Sequence, residues 1–198
     1  MKRNYKNTIA VDLDGVVFDF ESEFCDRFGY DNRHLFDLHS RYPKIDKDLI
    51  NEFVSDPEVY ENLLPIFGGI LFLRLAKRLG FYIWLVTSRP KHLAEVTRNQ
   101  LEGYDVPFHD ITYTVDKSLA IQEYNEMYPN RPVRMLVDDS IKNLNGLNKL
   151  GIIPMAWEQP WNTGWYPRVR YNEENMKIEA RFGESDNWKP FWENEDGN

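Results

Sequence analysis

The chain has 198 residues, 42% hydrophobic and 28% charged, and its 24 basic against 32 acidic side chains give a formal net charge of −8. That length suits one core domain carrying a small insertion, and the negative field opposes non-specific binding to nucleic acid or anionic membrane. A single cysteine, Cys25, excludes an intrachain disulfide and a cysteine-based zinc site. The longest apolar run, residues 81–86, is far too short to span a membrane. No signal-peptide pattern follows the basic start, so a cytoplasmic location is expected.

Residues 8–12 read as a buried strand ending in a carboxylate, with Asp14-Gly15 as a turn. Helical spacing follows over 18–28, stopped by Gly29. Residues 30–62 are polar, with short helical pieces near 35–38 and 47–54 and a helix start at Ser55-Asp56-Pro57. After Gly68-Gly69 an alternation begins: helix 70–79, strand 81–86, helix 91–101, strand 111–114, helix 118–128, strand 133–137, helix 141–150 and strand 152–156. The segment from 171 is charged and weakly periodic, with Trp188, Phe191 and Trp192 available to dock it.

Alternating strands and helices with short links predict an α/β fold, a parallel sheet with helices on both faces. The first strand lacks a plain crossover. Residues 1–16 and 66–170 are therefore expected to form the core, 17–65 an inserted, mostly helical cap, and 171–198 a tail docked on the core. No repeat or low-complexity segment is present.

Open parallel sheets place ligands at the carboxyl ends of their strands. Asp12 and Asp14, Thr87 and Ser88, Lys117, and Asp138 and Asp139 all follow predicted strands. Clustered carboxylates repel one another unless a proton or cation intervenes. An oxygen-only donor set favours Mg²⁺ over Zn²⁺. Each group taken singly has a plainer reading: a turn for Asp-x-Asp-Gly and for Thr-Ser before Arg-Pro, a helix cap for Asp-Asp-Ser, and a solvated helix residue for Lys117.

Taken in order, these groups resemble the four motifs of the haloacid dehalogenase (HAD) superfamily of phosphatases: Val11-Asp12-Leu13-Asp14-Gly15-Val16, then Thr87, then Lys117, then Asp138-Asp139. The resemblance spans residues 8–156 and implies that the α/β core is Rossmann-like. Within the superfamily, the run from Asp12 to Glu21, together with Val86-Thr87-Ser88, Asp116-Lys117 and Asp138-Asp139, is similar to the 5'(3')-deoxyribonucleotidases and 5'-nucleotidases. Arg89-Pro90 and the insertion depart from that subfamily's pattern. The run Gln159-Pro160-Trp161-Asn162 also resembles nucleotidase-like members, without a role attached to it.

The resemblance implies that Asp12 is the nucleophile and forms an aspartyl-phosphate, and that Asp14 is the general acid and base. It implies that Thr87, Ser88 and Lys117 hold the phosphoryl group. Mg²⁺ is implied on Asp12, on Asp14 through its backbone carbonyl, and on Asp139, with Asp138 acting through a water; the order of the last two is open. Phe20 stands where the family packs a nucleobase, although a helix-core role is equally open to it. Phe67, Trp161 and Trp165 rank below it. The implied substrate is a nucleoside monophosphate. Sugar phosphates and other small esters are alternatives, nucleic-acid end phosphates are disfavoured by charge, and a non-catalytic binding role ranks last. A homodimer is left open.

Overall fold

The computed structural model describes residues 5–29, 45–165 and 167–191. In chain order the elements are β1 (Thr8–Val11), α1 (Phe20–Phe28), α2 (Lys47–Ser55), α3 (Pro57–Glu61), α4 (Phe67–Arg78), β2 (Tyr82–Thr87), α5 (Ala94–Gly103), β3 (Asp110–Tyr113), α6 (Lys117–Met127), β4 (Val133–Asp138), α7 (Ile141–Leu144), β5 (Ile153–Trp157), β6 (Arg168–Asn172), β7 (Lys177–Arg181) and β8 (Lys189–Pro190). Single 3₁₀ turns cover Lys91–Leu93 and Leu147–Leu150. The expected helical piece at 35–38 and Trp192 lie outside the described residues.

The strands form one eight-stranded sheet in the order β3-β2-β1-β4-β5-β6-β7-β8. Pairing from β3 through β6 is parallel, and β6–β7 and β7–β8 are antiparallel. This is the α/β, mostly parallel architecture that the alternation predicts. The period-two pattern divides each strand between two cores. Ile9, Val11, Ile83, Leu85 and Val137 enter one apolar cluster, whereas Ala10, Trp84, Val86 and Leu136 enter the other. Phe24, Ile50, Phe53, Val59 and Tyr60 from α1–α3 belong to the same cluster as Ile9 and Val11.

Three elements differ from the sequence expectation. Helix α4 starts at Phe67 rather than at residue 70, so Gly68 and Gly69 lie in its first turn. Close approach requires both glycines: a Cβ at Gly69 would stand 1.9 Å from the Val16 carbonyl oxygen, and one at Gly68 would stand 2.2 Å from the Tyr171 Cβ. The expected helix over 141–150 breaks after Leu144, where Gly146 takes a left-handed φ of 81°. The segment from 171 continues the sheet, with β6 starting before it at Arg168. Its inward positions include Glu179, whose carboxylate accepts from Arg170, Asn172 and Asn175; this buried polar group masks the alternation of Val169 and Tyr171 against Ile178 and Ala180. Phe191 packs on Phe72 at 5.7 Å between ring centroids.

Candidate active site

Strand order reverses at β1, whose neighbours are β2 on one side and β4 on the other. Such a reversal opens a crevice beyond the strands' carboxyl ends. Asp12 follows β1, Thr87 ends β2 and Asp138 ends β4, so all three meet there. Lys117 is the first residue of α6, whose N-cap Asp116 accepts from the Leu119 backbone N–H.

Lys117 is almost wholly buried, and its Nζ lies 2.6 Å from Asp12 Oδ2 and 2.6 Å from Asp138 Oδ2. The structure thus contradicts the solvated-helix reading of Lys117. Burial alone would depress its pKa, but Asp12 and Asp138 outweigh that and hold it above the ordinary lysine value. The Asp12 carboxyl rises from 3.8 to about 7, first through burial and then through Asp138 and Asp14, against the opposing pull of Lys117. Asp12 Oδ1 accepts from the Leu13 backbone N–H at 2.8 Å, which fixes its rotamer.

Asp138 is committed on both oxygens. Oδ2 takes Lys117, and Oδ1 takes the Ser140 backbone N–H at 2.8 Å, while the Asn143 amide donates to both oxygens. The partly buried Asp139 instead places its carboxylate against Gly15, where an added Cβ would stand 2.6 Å from the Asp139 Cγ. Gly15 also has a φ of 79°, so two requirements favour glycine there. Burial, followed by Asp138 and Asp12, holds the Asp139 carboxyl well above the usual carboxylate range.

Carboxylate oxygens of Asp12, Asp138 and Asp139 come within 4.8 Å of one another. Converging carboxylates, with the proton affinity of Asp12 and Asp139 raised, offer hard oxygen donors that fit a divalent cation. The side chain of Asp14 stands apart from this trio.

The Asp14 carboxylate is held by Arg89, whose Nη2 lies 2.6 Å from Oδ1 and whose Nε lies 2.9 Å from Oδ2. The Arg89 side chain is fully buried. Its Nη1 donates to Thr97 Oγ1 and Gln100 Oε1, and its guanidinium lies 4.6 Å from the Tyr60 ring centroid. Burial works against the Arg89 charge, but the paired Asp14 keeps its pKa above the ordinary arginine value. Gln100 in turn donates to the Tyr60 carbonyl at 2.7 Å. A cation beside the expected acid was not legible in the sequence, where Arg89-Pro90 registers only as a departure from the family pattern.

Thr87 is buried, and its Oγ1 accepts from the Arg89 backbone N–H at 3.1 Å, whereas Ser88 is exposed at the rim. The Phe20 ring packs against Phe53 at 5.5 Å and stacks with Tyr60 at 5.8 Å within the α1–α3 cluster. Trp165 packs on the opposite sheet face with Ala10 and Trp84. Arg168 and Arg170 form no basic stripe, since both pair with Glu158.

The run at 159–162 acquires a structural role. The buried Asn162 donates to the backbone carbonyls of Asp139 and Trp157, at 2.9 and 2.7 Å. Gln159 donates to the Gly15 carbonyl at 2.8 Å. This turn therefore props both backbone segments of the carboxylate cluster.

No protein-family model matches the sequence, and no curated protein matches it. Solved structures do resemble it in fold. A haloacid dehalogenase-like hydrolase from Streptococcus pneumoniae aligns with a TM-score of 0.55 at 15% identity, covering 77% of this chain and 84% of its own. An L-2-haloacid dehalogenase aligns with a TM-score of 0.52 at 12% identity, over 78% and 85% of the two chains. A class C acid phosphatase from Bacillus anthracis gives a TM-score of 0.50 at 15% identity, over 74% and 56%. The sheet and its flanking helices thus have the Rossmann-like architecture of HAD hydrolases. Among the described residues, no helix is long and apolar enough to cross a membrane.

Proposed function

We propose that this chain is a Mg²⁺-dependent phosphatase acting on nucleoside monophosphates, deoxyribonucleotides foremost, through an aspartyl-phosphate. The observation that carries the reading is the buried Lys117 bridging Asp12 and Asp138 at the point where strand order reverses. A structural ion pair needs one partner for each charge. Here three carboxylates converge around one lysine, an arrangement that favours a ligand supplying further positive charge.

Asp12 attacks phosphorus, forming an oxygen–phosphorus bond as the bond to the leaving oxygen breaks. Asp14, entering this step in its protonated form, gives that oxygen its proton. Water then loses a proton to Asp14 and attacks the same phosphorus, restoring the Asp12 carboxylate. Thr87 Oγ1 and Lys117 Nζ hold phosphoryl oxygens, with Ser88 adding a donor from the rim. Asp12, the Asp14 backbone carbonyl and Asp139 would hold the cation, with Asp138 behind them. Bound there, Mg²⁺ offsets repulsion between the carboxylates and the incoming phosphate. Arg89 orients Asp14 by a two-point clamp. Phe20, at the start of α1 and packed on Phe53 and Tyr60, supports the substrate-facing wall of the insertion.

The test is released phosphate from a panel of nucleotides, sugar phosphates and end-phosphorylated oligonucleotides, run with the wild type and Asp12→Asn. Nucleoside monophosphates are expected to lead, with activity dependent on Mg²⁺ and at least about 10³-fold lower in the variant. Sugar phosphates exceeding every nucleotide by a hundredfold in kcat/KM overturn the substrate class, and turnover that survives Asp12→Asn overturns the mechanism.

A further inference from the structure

We infer that the recess between the carboxyl end of β5, strand β6 and the start of α4 receives the leaving nucleoside, and that its base is flat, uncharged and bears amino donors. The inference rests on the nucleotidase reading above and names its substrate more narrowly.

The recess has a volume of about 740 Å³, within the roughly 300–1,000 Å³ of small-molecule sites. Phe67, Trp157, Trp161 and Tyr171 line it. Phe67 is 55% exposed and meets the Tyr171 ring edge to face at 5.8 Å. Gly68 permits this wall, because any Cβ there would collide with Tyr171. Four rings around one opening offer faces and edges to a planar aromatic group.

The recess shares a wall with the carboxylate cluster. Gln159 lines it while donating to the Gly15 carbonyl, and Gly15 lies against the Asp139 carboxylate. Asp19, at the start of α1, lines the same opening. A monoester whose phosphoryl group is bound at Asp12 and Lys117 would reach this space past Gly15, on the β5 side.

Charge narrows the occupant. Among the described residues, Asp19, Glu21, Glu158 and Glu173 face the recess with one cation, Arg170. That guanidinium is already engaged, with Glu179 at 3.0 Å and Glu158 at 3.7 Å. A second phosphate or a ligand carboxylate would meet carboxylates here and be repelled. Exocyclic amino groups would meet acceptors instead. Adenine and cytosine present such donors, whereas thymine presents a carbonyl oxygen at the corresponding edge. Amino-bearing nucleoside monophosphates are therefore preferred over thymidylate and over nucleoside diphosphates.

The experiment measures kcat/KM for dAMP, dCMP, dTMP, ADP and β-glycerophosphate, which carries no ring. Wild type is compared with Tyr171→Ala and with Phe67→Ala, the latter at an exposed position. In parallel, 2'-deoxyadenosine is titrated against intrinsic tryptophan fluorescence, a readout independent of turnover. The expected result is dAMP and dCMP ahead of dTMP and ADP by tenfold or more. Each variant should lose tenfold or more on dAMP and stay within twofold on β-glycerophosphate, and the deoxyadenosine-induced fluorescence change should weaken. If wild type hydrolyses nucleotides but both variants match it on dAMP, or dTMP or ADP leads, the recess assignment is overturned while the nucleotidase reading stands. If wild type hydrolyses β-glycerophosphate and no nucleotide, both are overturned.

Discussion

Lys117 and Arg89 are the two buried cations on which the site's electrostatics depend, and their removal should have different signatures. Lys117→Met leaves Asp12 and Asp138 buried without their shared partner. Breaking such a pair from one side costs about 3–5 kcal/mol, so chemical denaturation without divalent cation should show a loss of that order. Arg89→Met instead frees Asp14 from a two-point clamp. General acid–base assistance is worth roughly 10²–10⁴, and loss of orientation should remove part of it. We expect kcat to fall about 10–100-fold with KM little changed, and less for p-nitrophenyl phosphate, whose leaving group needs no proton. Arg89→Lys should not restore the rate, because an ammonium cannot reproduce the planar fork. An equal loss on good and poor leaving groups would show that Arg89 does not act through Asp14.

At the scale of elements, what matters is how closely α4 approaches the loop after β1. Gly69→Ala would drive a methyl to 1.9 Å from the Val16 carbonyl oxygen, so the helix must move. Overpacking of this kind costs typically about 1–3 kcal/mol. Gly103, in α5, has nothing within 4 Å of its would-be Cβ. Gly103→Ala should be neutral, or stabilising by up to about 1 kcal/mol through helix propensity. Thermal unfolding of the two variants side by side checks the contrast. The sequence marked Gly68-Gly69 as a boundary because glycine pairs punctuate chains. Their use inside a helix depends on Val16 and Tyr171, which a local window does not contain. The strands after residue 167 escaped for a related reason: β7 turns Glu179 inward against Arg170, and a buried ion pair looks like a solvated charge run.

Across the whole molecule, the raised carboxyls link folding to pH. The folded chain keeps protons on Asp12 and Asp139 that the unfolded chain releases above about pH 4. Because the native state binds more protons, stability contributed at these sites is fully present at acid pH and declines as pH rises from 3.8 toward about 7. A divalent cation competes for the same oxygens. Mg²⁺ should therefore raise Tm more at about pH 7.5 than at about pH 5. Calorimetry with and without Mg²⁺ at the two pH values tests this, and an equal or reversed shift would detach the cation from these carboxylates.

The sequence by itself determined the alternation of strands and helices, the short strands that became β1, β2 and β4, and the presence of Asp12, Thr87 and Asp138 at strand ends. Those features are local, since strand length, side-chain alternation and turn residues are written in adjacent positions. Only the tertiary structure decided that Lys117 is buried between two carboxylates, that Arg89 clamps Asp14, that Asn162 and Gln159 prop the cluster, and that the last strands extend the sheet. Each of these joins residues distant in the chain, and what a charged side chain does depends on which partner the fold brings within about 3 Å of it.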